Sequence, residues 1–130
     1  MIQFSVKTAE RTQLIDITRE VSEALKALSS DTGYLFLSVP HTTCALVVNE
    51  SHDPHVASDI TAFLNRLIPK DGNFRHNEGN SDAHIKAALT GTTLLIPFEQ
   101  GRLLLGTWQG IFLCEFDGPR RRTVRAGILL

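Results

Sequence analysis

The strongest constraint on this chain is the recurrence of short β-like segments between turn residues. Ile2 to Val6, Gln13 to Ile17, Tyr34 to Val39, Cys44 to Val48, Thr92 to Ile96, Leu103 to Leu105, Ile111 to Phe116 and Arg121 to Leu130 read as strands. Polar Lys7 to Thr12 suits a hairpin between the first two, and Asp117-Gly118-Pro119 suits a closing hairpin between the last two. Three stretches switch to helical spacing. Thr18 stands as the N-cap of a helix carrying Val21, Ala24, Leu25 and Leu28, ended by the turn Asp31-Thr32-Gly33. Asp53 caps a second, with Pro54 at its first position and an apolar stripe of Val56, Ile60, Phe63, Leu64 and Leu67. Ser81 caps a third, which runs to Thr90 and stops at Gly91. Strands joined by tight turns favour antiparallel pairing. The expected class is therefore α+β, a single compact domain with a largely antiparallel sheet and about three helices. Regular βαβ alternation, GxGxxG and GxxxxGK[ST] are all missing, which leaves Rossmann and P-loop readings unsupported.

A length of 130 residues suits one domain over 1–130. Lys+Arg 13 against Asp+Glu 14 leaves a net charge of −1, which excludes a nucleic-acid binder held by bulk positive charge. With 42% hydrophobic residues the chain is not of the disordered class. No apolar run approaches the roughly 20 residues that span a bilayer, so no membrane partner is expected. Met1 to Lys7 lacks an apolar h-region, so no signal peptide is expected. Cys44 and Cys114 do not make a disulfide framework, and free thiols suit the cytoplasm.

The chemistry concentrates in histidine: all five lie between His41 and His84. His41 follows Pro40 at a strand break, where it can face a cleft as a metal ligand or general base, or simply satisfy turn backbone. His52 and His55 flank a helix start and read as solvated or capping. Cys44 and Cys114 read as small core residues. The densest segment is Arg75 to His84. His76-x-Glu78 projects to one side in an extended loop, whereas Asp82 and His84 diverge if they sit on a helix. Histidine with carboxylate suits Zn²⁺, another divalent ion, or a proton shuttle. Gly79, Asn80 and Ser81 precede a helix N-terminus, which can take an anion. Trp108, between Gly106 and Gly110, walls a pocket or joins the core, and Gln109 can bond a heteroaromatic edge. Glu115 shares a face with Ile111 and Leu113, so it needs a partner or ligand. Arg120, Arg121, Arg122 and Arg125 can clasp pyrophosphate or pair with acids.

His41-Thr42-Thr43 with Asn49-Glu50, Glu78-Gly79 with His84-Ile85-Lys86, Gly101-Arg102, and Gly106 to Gly110 resemble, in order and spacing, the YjbQ-like family, also called the secondary thiamine-phosphate synthase family. The resemblance runs from Asp16 to the C-terminus. It implies a homotrimer with weak thiamine-phosphate synthase activity, which joins an aminopyrimidine methyl diphosphate to a thiazole phosphate and releases pyrophosphate. It also implies a polar pocket of His41, Asn49, Glu50, Glu78, His84, Trp108, Gln109 and Glu115. The expected catalytic set is His41, Glu78, Asp82, His84 and Glu115. The expected substrate contacts are Asn49, Glu50, Gly79, Asn80, Ser81, Trp108, Gln109 and Arg120. A divalent Mg²⁺ or Zn²⁺ would sit on His41, His76 and His84, with a small phosphorylated substrate and no organic cofactor. The alternatives are a metal-dependent hydrolase of a small phosphorylated or amide substrate, and a non-catalytic small-molecule binder.

Overall fold

The structure is a computed structural model, and it describes residues 1–129. Eight strands and three helices form two sheets with helices packed between and outside them. In chain order they are β1 (Ile2–Lys7), β2 (Gln13–Asp16), α1 (Thr18–Leu28), β3 (Thr32–Ser38), β4 (Cys44–Glu50), α2 (Pro54–Leu67), α3 (Ser81–Thr90), β5 (Thr93–Glu99), β6 (Arg102–Leu103), β7 (Gln109–Glu115) and β8 (Arg121–Leu129). The expected α+β class holds, and every strand pair is antiparallel.

The pairing departs from the hairpins expected at the two ends. The five-stranded sheet runs β1-β8-β3-β5-β6 and the three-stranded sheet runs β2-β7-β4. β1 and β2 therefore lie in different sheets, as do β7 and β8. The polar turns between them carry the chain from one layer to the other. Among the described residues, only β5 and β6 are both consecutive and paired. The last strand begins at Arg121 as expected, and Leu130, its expected last residue, lies outside the described residues.

The main core lies between the sheets. Leu35, Leu37, Ile96, Val124 and Ala126 of the large sheet meet α1 and Cys44, Leu46, Ile111 and Leu113 of the small sheet. Val21, Ala24 and Leu25 place the buried stripe of α1 in this space. A second cluster covers the far face of the small sheet, where Ala83 and Ala87 of α3 pack on Ala45, Cys114 and Phe116. β7 is thus covered on both faces, which is why it reads as a near-continuous apolar run. Both cysteines are buried and free, as expected for small core residues.

Helix starts differ in their chemistry. Asp53 caps α2 as expected, its Oδ1 accepting from the His55 N–H at 2.9 Å, with Pro54 at the first position. Thr18 and Ser81 do not cap by side chain; each is the first helical residue, after Ile17 and Asn80. The Thr18 hydroxyl instead donates to Asp16 and accepts from the Ile111 N–H. α1 ends earlier than expected, at Ser29, in the left-handed conformation (φ 55°). The stripe of α2 is not buried through: Phe63 and Leu67 are exposed, and only Leu64 joins the second cluster.

Candidate functional site

The candidate residues fall into three polar constellations. The first is a cleft of about 480 Å³ lined by Phe74, Arg75, His76, Ser81, His84 and Ile85. The loop before α3 carries His76, and the first turns of α3 carry Ser81 and His84. The two imidazoles meet edge to face with centroids 5.4 Å apart. Glu78 Oε2 lies 3.8 Å from His76 Nε2, so the i, i+2 pair converges as its spacing implied. Gly79 takes φ 73°, a left-handed turn that a side chain would strain. Asn80, the residue before α3, donates Nδ2 to Asp117 at 2.8 Å, while its buried Oδ1 has no protein partner.

The second constellation holds Glu115. Fully buried, it accepts from both Nε and a terminal nitrogen of Arg122, from Thr8 Oγ1 at 2.8 Å, and from the Asp117 N–H at 3.0 Å. Arg122 also donates to the hydroxyl and carbonyl of Thr43. Glu115 has the partner its apolar strand face demanded, and with those donors it is a structural anchor with no open catalytic face. His41 sits beside this pair. Its Nε2 accepts from the Thr123 N–H at 2.9 Å, which fixes the proton on Nδ1. Burial and the Arg122 charge hold the His41 imidazolium below its ordinary range, so the ring stays neutral. An Nε2 engaged in this way is not available as a metal ligand or base. Burial pushes the Cys44 thiol up to about 11.

The third constellation lies on the opposite face of α3. Asp82 is fully buried and holds Arg11 through two bonds of 3.0 Å and Lys86 through a third of 3.0 Å. Asp82 and His84 therefore diverge, and Asp82 serves Arg11 and Lys86 where a catalytic role was expected. These two cations hold its carboxyl down at about 2, against the desolvation that raises it.

The remaining expected contacts scatter. Trp108 is 57% exposed and stacks edge-on against His52 at 5.0 Å. Gln109 Oε1 accepts from the Gly106 N–H, closing its own turn. Asn49 Oδ1 accepts from the Glu50 N–H, and Glu50 lines a separate groove beside α2. Arg120 pairs with Asp117 at 2.8 Å while Arg122 turns inward, so the arginines do not form one pyrophosphate clasp. Among the described residues no group of three or more His, Cys, Asp or Glu side chains converges to hold a metal. His41, His76 and His84 of one chain therefore do not fit the Mg²⁺ or Zn²⁺ triad expected of them. Sequence reasoning missed Arg11 and Lys86. The i, i+4 spacing of Asp82 and Lys86 was the available signal; nothing local pointed to Arg11, 71 residues from its partner.

Residues 2–129 match the family described as UPF0047 protein YjbQ-like. The chain belongs to that family. A UPF0047 protein of Methanocaldococcus jannaschii is 49% identical over 122 residues, spanning 94% of this chain and 88% of that one. UPF0047 protein YugU of Bacillus subtilis is 44% identical over 119 residues, 91% of this chain and 90% of that one. A crystal structure from Clostridium acetobutylicum, described as an uncharacterized conserved protein of the same family, matches with a TM-score of 0.96 at 46% identity. It covers 99% of this chain and 100% of that one. The names of these YjbQ-like relatives state no activity, and none of them is named a thiamine-phosphate synthase. The synthase reaction that the resemblance implied is therefore withdrawn, and so is the hydrolase alternative. The family and its fold stand. No helix is long and apolar enough to cross a membrane among the described residues.

Proposed function

We propose that this YjbQ-like chain is an enzyme whose proton-transfer centre is the His76–His84 pair in the α3 cleft, acting on a small anionic molecule. The observation that carries this reading is the edge-to-face approach of two imidazoles at 5.4 Å within a cleft that also holds Arg75. Imidazole exchanges protons near neutral pH, so one ring can take a proton while the other gives one. Phe74 and Ile85 supply apolar walls, and Arg75 supplies the charge that would favour an anion. The Glu78 carboxylate, 3.8 Å from His76 Nε2, can pair with that ring when it carries a proton. His41 stays outside this centre.

Hydrolysis of the activated ester 4-nitrophenyl hemisuccinate tests base strength in place, without requiring the natural substrate. His76→Ala and His84→Ala are each expected to lower the rate by about 10²-fold or more, with His55→Ala unchanged. A wild-type rate equal to that of the His76→Ala, His84→Ala double variant overturns the reading.

The outer face of the five-stranded sheet supports a second part of the reading, self-assembly. Cross-strand register sets Tyr34 beside Pro97 and Leu129, and Phe36 beside Leu95, on one surface. Tyr34, Leu95 and Leu129 are each about half exposed, at 49%, 52% and 54%. Such a connected apolar patch favours burial against a second copy, and a homotrimer is the state the family resemblance implies. Buried free thiols at Cys44 and Cys114 favour a cytoplasmic setting.

A further inference from the structure

No residue of the 14-residue helix α2 is buried, whereas the shorter α1 and α3 bury three and four. A helix of this length is marginal in water by itself and is held by the packing of an apolar face. The flank of α2 carrying Val56, Ile60, Phe63 and Leu67 lacks that packing: Phe63 and Leu67 stand 53% and 58% exposed. Along the other flank, past Ser58 and Asn65, runs a groove of about 680 Å³. Its lining includes Glu10, Asp16, Glu50 and Asp53 and no lysine, arginine or histidine among the described residues. The outer face of the five-stranded sheet has the opposite sign. Cross-strand register sets Lys7 directly opposite Arg121, and places Arg125 between Gln3 and Ser38. All three cations are exposed, and none joins an ion pair among the described residues. Like charges directly opposite destabilise a strand pair. Glu99 on the same face has its own cation, Arg102, across the strand. The net charge of −1 thus hides a basic sheet face and an acidic helix side.

We infer that copies of this chain assemble head to tail, the outer sheet face of one copy seated on the α2 side of the next. The inference rests on the self-assembly reading above and names the second surface, which that reading lacks. Two sheet faces set against each other would bring two cationic strips together and leave α2 bare. Two α2 sides set against each other would do the same with carboxylates and leave the sheet bare. Only the unlike pairing covers both apolar faces and lets Lys7 and Arg121 of one copy meet the acidic groove of another. A contact between unlike faces repeats around a rotation axis and closes a ring, the geometry that a homotrimer needs.

Sedimentation of single variants and of their mixture separates this arrangement from a sheet-to-sheet contact. Phe63→Lys spoils the α2 side and Leu95→Asp spoils the sheet face. Each alone is expected to shift at least tenfold in concentration toward monomer. Leu67→Lys, at another exposed position of α2, reads the same surface should Phe63→Lys fail to fold. The two variants mixed in equal amounts are expected to form a two-chain species at a concentration where either alone is monomeric. The Phe63→Lys chain keeps an intact sheet face and the Leu95→Asp chain an intact α2 side, so one native contact forms and no ring closes. Lys7→Glu with Arg121→Glu removes the charge match and is expected to weaken wild-type association by at least threefold. A wild type that is monomeric at all concentrations overturns the self-assembly reading and this inference together. A wild type that assembles while the α2 variants keep its mass overturns only the head-to-tail arrangement. So does a mixture that associates no better than its parts, or association untouched by the charge reversal.

Discussion

Glu115 and Arg122 illustrate how a single residue's chemistry was half legible. A carboxylate on the Ile111–Leu113 face announced that it needed a partner; the partner itself lies on a strand of the other sheet, beyond local reading. Arg122→Met leaves Glu115 buried and unpaired. It is expected to cost about 3–5 kcal/mol in urea unfolding, while Glu115→Leu with Arg122→Met recovers most of that loss. A double variant as unstable as the single one would refute the pairing account. His41 offers a gentler test. Its neutral ring accepts the Thr123 N–H, so His41→Ala removes that acceptor and is expected to cost about 1–2 kcal/mol at pH 7. The folded state holds the His41 imidazolium below its ordinary 6.5, so this contribution is full above pH 6.5 and fades as pH falls below it. The gap between wild type and His41→Ala, read from unfolding curves, should shrink from pH 7 to pH 5. Gly118 is fixed by space: a Cβ there would lie 2.2 Å from the Glu10 carbonyl oxygen and 2.8 Å from Glu115 Cγ. No sequence signal beyond its turn setting marked that contact.

At the scale of elements, α3 divides its faces between two polar tasks and one apolar one. Ala83 and Ala87 bind the helix to the small sheet, His84 meets the open cleft, and Asp82 with Lys86 forms the buried ion cluster. The start of this helix at Ser81 and its stop at Gly91 were readable, because a polar loop, a helical run and a glycine follow in order. Its polar register was not. Asp82 drew attention as an acid near histidines, although two residues along a helix points side chains apart. The cluster has a clear acid signature. The Asp82 carboxyl sits at about 2 in the folded chain against an ordinary 3.8, so the charged form favours folding. That stability is present above about 3.8 and is lost as pH falls through about 2. Wild-type stability is therefore expected to fall over that window more steeply than that of Asp82→Asn, measured by urea midpoint at each pH. At neutral pH the variant is expected to be less stable by about 3 kcal/mol, since Arg11 and Lys86 lose their shared anion. Equal slopes in the two proteins would assign the acid loss elsewhere.

The whole molecule explains why strand existence was easier to read than strand pairing. Apolar alternation and turn residues locate each strand locally, whereas β1 with β8 and β2 with β7 join segments about a hundred residues apart. Short polar connections between layers mimic hairpin turns, which is what misled the reading at both ends. The same architecture leaves the large sheet with two unlike faces. Its inner face is sealed by α1 and the small sheet; its outer face carries Tyr34, Phe36, Leu95, Pro97 and Leu129 with no covering layer among the described residues. Copies of the chain meeting there would each bury Leu95, an aliphatic side chain worth about 1.5–3 kcal/mol when fully removed from water. Leu95→Asp replaces that gain with a buried charge, and nothing in the core touches the substituted atoms, since Leu95 points away from it. Sedimentation is therefore expected to find wild type above monomer mass and Leu95→Asp shifted at least tenfold in concentration toward monomer, with unfolding of the subunit unchanged. A wild-type chain that sediments as a monomer at all concentrations, or a variant with unaltered mass, would show that the apolar face serves something other than self-assembly.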